Sequence, residues 1–376
     1  MKKVNYWILA ALCMMIAVTG CAKQEKSEGP KAQEENSGKA KEGYTSDFSI
    51  AYLDDGVKLV TDAEDRRMYL VPREAEVPEE AKDEMVVRTP VERVLYMSTT
   101  QVCMLQSLDS EEVWKSIVGV AGAKETWTID EVISRFDSGQ IQDVGGDMSE
   151  PDYELIQSMD PELVFVYTGS NPQTGVIEKF DELGIPYAVD NEYMETTYMG
   201  RLDWLRFIAA FYNEDEKGNA VVEAASGSIE EMKEKIADEE RPTVSYGSLF
   251  DGVVYVASGE GWIADMIEDA GGDYIFKDTQ ASDTQISLEE FYAQSKDADI
   301  IIYSTTPDFT PDLASVLAEA PVLEDLKAVQ NKNIWQLDQS FWMSADRPEQ
   351  VAQDLAAMFH PEIFPDRKPE FFILFS

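Results

Sequence analysis

The chain is poor in the residues on which many enzymes and metal sites depend. It holds one histidine and three cysteines among 376 residues. A lone imidazole, His360, excludes a multi-histidine metal site and any Ser-His or Cys-His catalysis that does not use it. No His-Glu-x-x-His, Gly-x-Ser-x-Gly or Gly-rich phosphate loop occurs. Basic residues are scarce too: 31 Lys and Arg stand against 73 Asp and Glu, a formal charge of -42. That balance argues against nucleic acid or an anionic headgroup layer as partner and favours a basic docking surface. The apolar run at the start, residues 6–18, falls short of the roughly 20 residues that cross a bilayer.

The cysteines divide by place. Cys13 lies in that apolar run, Cys21 just after it, and Cys103 in the apolar-periodic "TTQVCMLQSL", where a buried helix residue is expected. With Cys13 removed and Cys21 used as an anchor, no intrachain disulfide can form. Lys2 and Lys3, the short apolar core and the small residues after it read as a secretory signal, residues 1–20. Val18-Thr19-Gly20-Cys21 resembles the lipobox of bacterial lipoproteins. The resemblance implies that Cys21 is acylated and becomes the mature N-terminus, anchored by two or three acyl chains. Residues 21–46, rich in Lys, Glu, Gln, Gly and Ser, are expected to be a flexible polar tether. The body is then extracytoplasmic and lipid-anchored to the cell membrane.

The 44% hydrophobic content is that of a globular protein, and the length allows two domains. Residues 47–90 read as a β-hairpin around Asp54-Asp55-Gly56 followed by an acidic loop. Strand and helix patterns then alternate over 91–213: "VERVLYMS", "TTQVCMLQSL", "SIVGVAG", "EPDYELIQSMDP", "ELVFVYTG", "TGVIEKFDELG", "IPYAVDN". A long amphipathic helix is expected in 214–240. The alternation resumes over 241–376, with "APVLEDLKAVQNKN" as one helix and "DRPEQVAQDLAAMF" as the last. The fold class is α/β, two α/β lobes with mainly parallel sheets joined by one long bridging helix.

In such sheets ligands bind beyond the carboxyl ends of the strands. The loops there carry hydroxyls, amides and aromatics, so the candidate ligand residues are Ser98, Thr99, Thr100, Trp127, Tyr167 and Asn171 from the first lobe. From the second they are Phe250, Tyr255, Trp262, Phe341 and Trp342. Aromatic rings suit corrin edges, catechols and porphyrin faces. Arg135 and Arg347 are candidate anion partners.

Three stretches carry a family likeness: "DVGGDMSEPDYELIQSMDPELVFVYTG" (143–169), "YVASGEGWIADMIEDAGGDYIFKD" (255–278) and "ISLEEFYAQSKDADIIIYST" (286–305). In order and spacing they resemble the substrate-binding proteins of iron-siderophore, haem and cobalamin ABC transporters. The likeness implies the class III periplasmic-binding fold, an ABC permease and ATPase as partners, and a monomer. It also implies one docking glutamate per lobe, Glu154 and Glu289, each meeting an arginine of the permease. The implied ligand is a bulky metal chelate, a ferric siderophore or a cobamide; few basic loop residues favour a neutral hydroxamate or a cobamide over a tris-catecholate. No catalytic residue, metal ligand or resident cofactor is expected. Haem, with Met97, Tyr167 or Tyr255 as ligand, a solute-binding sensor lipoprotein and a surface hydrolase are the alternative readings.

Overall fold

The computed structural model describes residues 43–146, 150–169 and 171–376, without the side chains of 171–174. Cys13, Cys21, the signal and nearly all of the tether lie outside the described residues.

Four strands come first. β1 (Ser49–Tyr52), β2 (Lys58–Thr61), β3 (Arg67–Pro72) and β4 (Met85–Thr89) form one sheet in that order. β1 and β2 pair antiparallel around Asp54-Asp55-Gly56, where Asp55 and Gly56 take the left-handed φ values, 56° and 74°, that a tight turn needs. The sequence reading stopped at the acidic loop, whereas "MVVRT" beyond it forms β4, parallel to β3. Val60, Met68, Leu70 and Val87 join the main core, while Val57, Tyr69, Val71 and Ala81 pack into a separate small cluster.

The next segment runs β5 (Val94–Tyr96), α1 (Thr99–Leu108), α2 (Glu111–Ser116), β6 (Ile117–Val120), α3 (Asp130–Ser138), β7 (Gln142–Asp143), α4 (Tyr153–Met159), β8 (Leu163–Val166), α5 (Asn171–Leu183) and β9 (Tyr187–Val189). Its five strands are parallel, in the order β7-β6-β5-β8-β9. β5 and β8 are buried at every position, as apolar runs are in a sheet covered on both faces. The strand order reverses between them.

α6 (Tyr198–Tyr212) and α7 (Asp215–Ile236) follow. α7 is the long helix expected in 214–240. Val222, Ala225, Ile229, Met232 and Ile236 recur at helical spacing on its buried face, which meets α6 and elements on both sides of it. Lys58 locks the first sheet to the α6–α7 junction. Its buried ammonium donates to Ala210 O (2.7 Å), Asn213 Oδ1 (3.1 Å) and Asp215 Oδ2 (2.5 Å).

The last part runs β10 (Thr243–Phe250), β11 (Val253–Val256), α8 (Trp262–Asp269), β12 (Asp273–Tyr274), β13 (Gln285–Ser287), α9 (Leu288–Ser295), β14 (Ile300–Tyr303), α10 (Leu313–Glu319), α11 (Lys327–Gln330), β15 (Ile334–Leu337), α12 (Pro348–Phe359) and β16 (Phe372–Leu374). β12, β10, β14 and β15 are parallel, while β11, β13 and β16 join antiparallel, so this sheet is mixed. The single helix expected over 320–333 is broken. Pro321 opens a 3-10 turn that ends at Asp325, Leu326 turns extended, and only Lys327–Gln330 is α-helical. α12 ends at the buried His360, against whose ring a side chain at Gly271 would collide. Cys103 is buried within α1, as expected.

Candidate functional site: a cleft between two lobes

The reversal between β5 and β8 is a topological switch point, where the loops leaving two strands diverge and open a crevice. It brings Ser98, Thr99 and Thr100, after β5, to the same end of the sheet as Tyr167, after β8. All four are half-buried. Ser98 sits at the N-cap of α1, yet its hydroxyl pairs with Thr100 Oγ1 (2.8 Å) rather than with the helix. Tyr167 meets Tyr193 edge-on, 5.5 Å between ring centres. The Tyr193 hydroxyl donates to Thr168 O, and it lies so close to Gly169 (φ 85°) that a side chain there would strike it. Tyr193 and Met194 are exposed. Neither was singled out in the sequence, because both lie past the strand in an acidic turn.

Trp127 is a correction. It is buried, its indole N–H donating to Gly122 O (3.3 Å), and it packs in the core rather than presenting a ligand surface. Met97, weighed as a haem ligand, is buried likewise. Asn171 opens α5, and its side chain lies outside the described residues.

On the opposite side, Trp262 opens α8 after Gly261 and stacks on Phe341 (6.2 Å, 25°), which meets Trp342 at right angles (5.1 Å). Three aromatics chosen from the sequence thus form one group. Trp342 is 42% exposed. The second sheet has its own switch point between β10 and β14. There Phe250 is 47% exposed, and Phe309, which sequence reasoning missed, is 62% exposed. Phe309 lies three residues beyond "DIIIYSTT", past the apolar strand pattern. Tyr255 is a second correction: it pairs with Ser248 and Gln285 inside β11, not in a loop at a strand end.

The two lobes touch across the cleft. Thr128 donates from N–H and hydroxyl to Met343 Sδ (3.3 and 3.1 Å), and Ser107 Oγ–H to Asp346 Oδ2 (3.0 Å). Tyr198, at the start of α6, donates its hydroxyl to Asp269 (2.7 Å). Tyr198, Arg201, Trp262, Phe341 and Trp342 line a space of only ≈ 30 Å³. That holds a few waters at most, against the several hundred Å³ of a small-molecule pocket.

The electrostatics are spare. Among the described residues Arg201 is the one charged residue lining that space. It is held by Glu192, Nε to Oε2 at 2.8 Å, and lies over the Trp262 ring. Beneath them burial, with the Glu192 charge beside it, holds the Asp190 carboxyl well above the usual range. Burial likewise pushes the Cys103 thiol up and Asp346 to about 6. Arg135 and Arg347 are not the expected anion partners. Arg135 pairs with Glu111 (2.9 Å) against Trp114, and Arg347 lies between Asp346 and Glu370 over Phe371. Among the described residues no group of three His, Cys, Asp or Glu could hold a metal.

Glu154 and Glu289 occupy the first turns of α4 and α9, helices capped by Asp152 and Ser287. Both are exposed, and neither has a hydrogen-bond or ion-pair partner among the described residues. The adjacent Glu290 accepts from the Gln294 amide (3.2 Å).

Two α/β lobes, one long helix packed between them and switch-point loops converging on an aromatic cleft define a solute-binding architecture. Residues 94–341 match the periplasmic binding protein family, and the chain belongs to it. The chain is similar to the lipoprotein MJ0878 of Methanocaldococcus jannaschii, 28% identical over 356 residues that cover 89% of this chain and 85% of the relative. It is similar over a shorter stretch to the vitamin B12-binding protein of Vibrio campbellii, 24% identical over 51% of this chain and 65% of that protein. Its fold is similar to that of CeuE from Helicobacter pylori (TM-score 0.59, 16% identity, 82% of this chain and 90% of that chain). The TroA-like periplasmic binding protein FepB of Veillonella parvula gives 0.58 at 18% identity, over 76% and 95%.

Proposed function

We propose that the protein is the extracytoplasmic substrate-binding component of an ABC importer. It captures a bulky metal chelate, a neutral ferric hydroxamate or a cobamide, and delivers it to a membrane permease and its ATPase. The observation that carries the reading is the Trp262–Phe341–Trp342 group, in which the buried Phe341 backs the half-buried Trp262 and the exposed Trp342, beside a cation already neutralised by Glu192. Such a surface suits a large, nearly uncharged ligand and disfavours a polyanion. Lipoprotein and vitamin B12-binding relatives support the class. Cys21 is the lipid anchor, Glu154 and Glu289 are the two docking carboxylates, and the protein acts as a monomer without a resident cofactor.

The test is tryptophan fluorescence and thermal shift of the protein against ferric hydroxamates, cobamides, haem and ferric tris-catecholates. A specific ligand quenches the indole signal, raises Tm by mass action and is recovered unchanged. Turnover of the ligand, or no response to any of the four classes, refutes the reading.

A further inference from the structure

The sheet β1–β4 precedes the family match, yet the turn between β2 and β3 reaches the ligand end of the first lobe. Its anchor is the buried Asp62 carboxylate, which accepts from Val189 N–H (2.9 Å) and from the N–H groups of Glu64 (3.1 Å) and Arg66 (3.0 Å). Ala63 N–H donates to Val189 O (3.3 Å). Arg66 lies 3.6 Å over the Tyr187 ring and donates to Tyr187 O (2.9 Å). The turn therefore covers the open edge of β9.

This attachment carries Glu64 to the loops that leave β8 and β9. Its Oε1 accepts the Thr168 hydroxyl (2.7 Å). Thr168 Oγ1 accepts in turn from Asn191 Nδ2 (2.7 Å), and Thr168 N–H donates to Asn191 Oδ1 (2.8 Å). The chain of donors runs one way, from Asn191 through Thr168 to Glu64. The second carboxylate oxygen of Glu64 has no partner among the described residues, and the side chain is exposed. The same Thr168 carries the Tyr193 hydroxyl on its carbonyl, so the bond from Thr168 holds the Glu64 carboxylate next to the Tyr167–Tyr193 pair.

We infer that Glu64 is a specificity-determining residue of the cleft, an acidic lip that favours chelates with an ammonium or other N–H donor at their periphery. The inference rests on the reading of the cleft as a chelate site. A carboxylate held at the rim attracts a cationic substituent and repels an anionic one, and the Asn191–Thr168 relay holds it in place. Arg201 cannot offset it, being paired with Glu192.

A matched pair of probes tests this: a ferric trishydroxamate bearing a free ammonium, and the same chelate with that amine acetylated. The wild-type chain binds the ammonium form about tenfold tighter at low salt. Glu64→Gln, which keeps an acceptor for Thr168 and so leaves Tm unchanged, removes the preference; Glu64→Lys reverses it. A residue that merely anchors the turn would leave this ratio alone. Equal preference in wild type and Glu64→Gln, or none in wild type, overturns the lip while the chelate reading stands. Binding of neither trishydroxamate also overturns it. If cobamides then fail to bind as well, the chelate reading falls too.

Discussion

Arg201 and Trp262 meet face to face: the guanidinium carbon, carried by α6, lies 4.5 Å from the centre of the indole at the start of α8. Glu192 accepts from the same guanidinium (2.8 Å), and Phe341 stacks on the same indole (6.2 Å between ring centres). The stack therefore closes the cleft with the protein's own groups. If the proposed chelate binds here it displaces these groups, and Trp262 is then its reporter.

Trp262→Leu keeps an apolar residue but removes the ring. Chelate affinity is expected to fall about tenfold. Most of the fluorescence quenching is lost with it, while Tm moves little. Titration of wild type and variant with the same ferric hydroxamate or cobamide checks this. Unchanged affinity would place the ligand elsewhere.

Docking should separate cleanly from binding. Glu154→Ala and Glu289→Ala remove exposed carboxylates with no partner among the described residues, so Tm and ligand affinity should stay unchanged. Uptake of labelled chelate by cells carrying the cognate permease should drop about tenfold or more in the double variant. Glu290→Ala, whose carboxylate already accepts from Gln294, serves as the control and should transport normally.

Lys58 is a structural charge. Burial lowers its pKa, and Asp215 works against that shift. Lys58→Ala removes the cation from Asp215, which keeps only the Tyr52 hydroxyl as side-chain donor (3.0 Å), and from the Ala210 carbonyl. It should cost about 3–5 kcal/mol in urea unfolding, the cost of breaking a buried pair from one side. Pairing it with Asp215→Asn should restore part of the loss.

Stability should fall as pH rises from about 4 to about 6. Asp346 and Asp265 are both raised to about 6, each chiefly by burial. Across that window the native state holds protons that the unfolded chain, with carboxyls near 3.9, has released. The stabilisation is complete below the unfolded value and is lost through the folded one. Asp190, also raised by burial, adds to the same fall. Asp346→Asn keeps an acceptor for Ser107 and should flatten the slope, measured as Tm against pH.

The alternation of short apolar strands with helices was legible because it is local. "LVFV" and "IIIY" are buried at every position, and α7 shows its buried stripe at helical spacing. What failed to show was pairing between distant segments. β4, only five residues long, directly follows an acidic loop and is recognisable as a strand only beside β3. β13 and β16 are similarly short. Trp127 and Trp262 illustrate the same limit at the site. Both follow turn residues in the sequence, yet one packs inward against Gly122 and the other faces Arg201.

The sequence by itself determined the α/β class, the long helix and the absence of a multi-histidine metal site, since each follows from composition or from spacing within one element. Only the tertiary structure decided which aromatics converge, that Arg201 is neutralised and that Glu64 reaches the rim. Those depend on strand order and on the attachment of a turn to a sheet edge more than a hundred positions away, as between Asp62 and Val189 (a separation of 127). Contacts over such separations leave no local pattern in the chain.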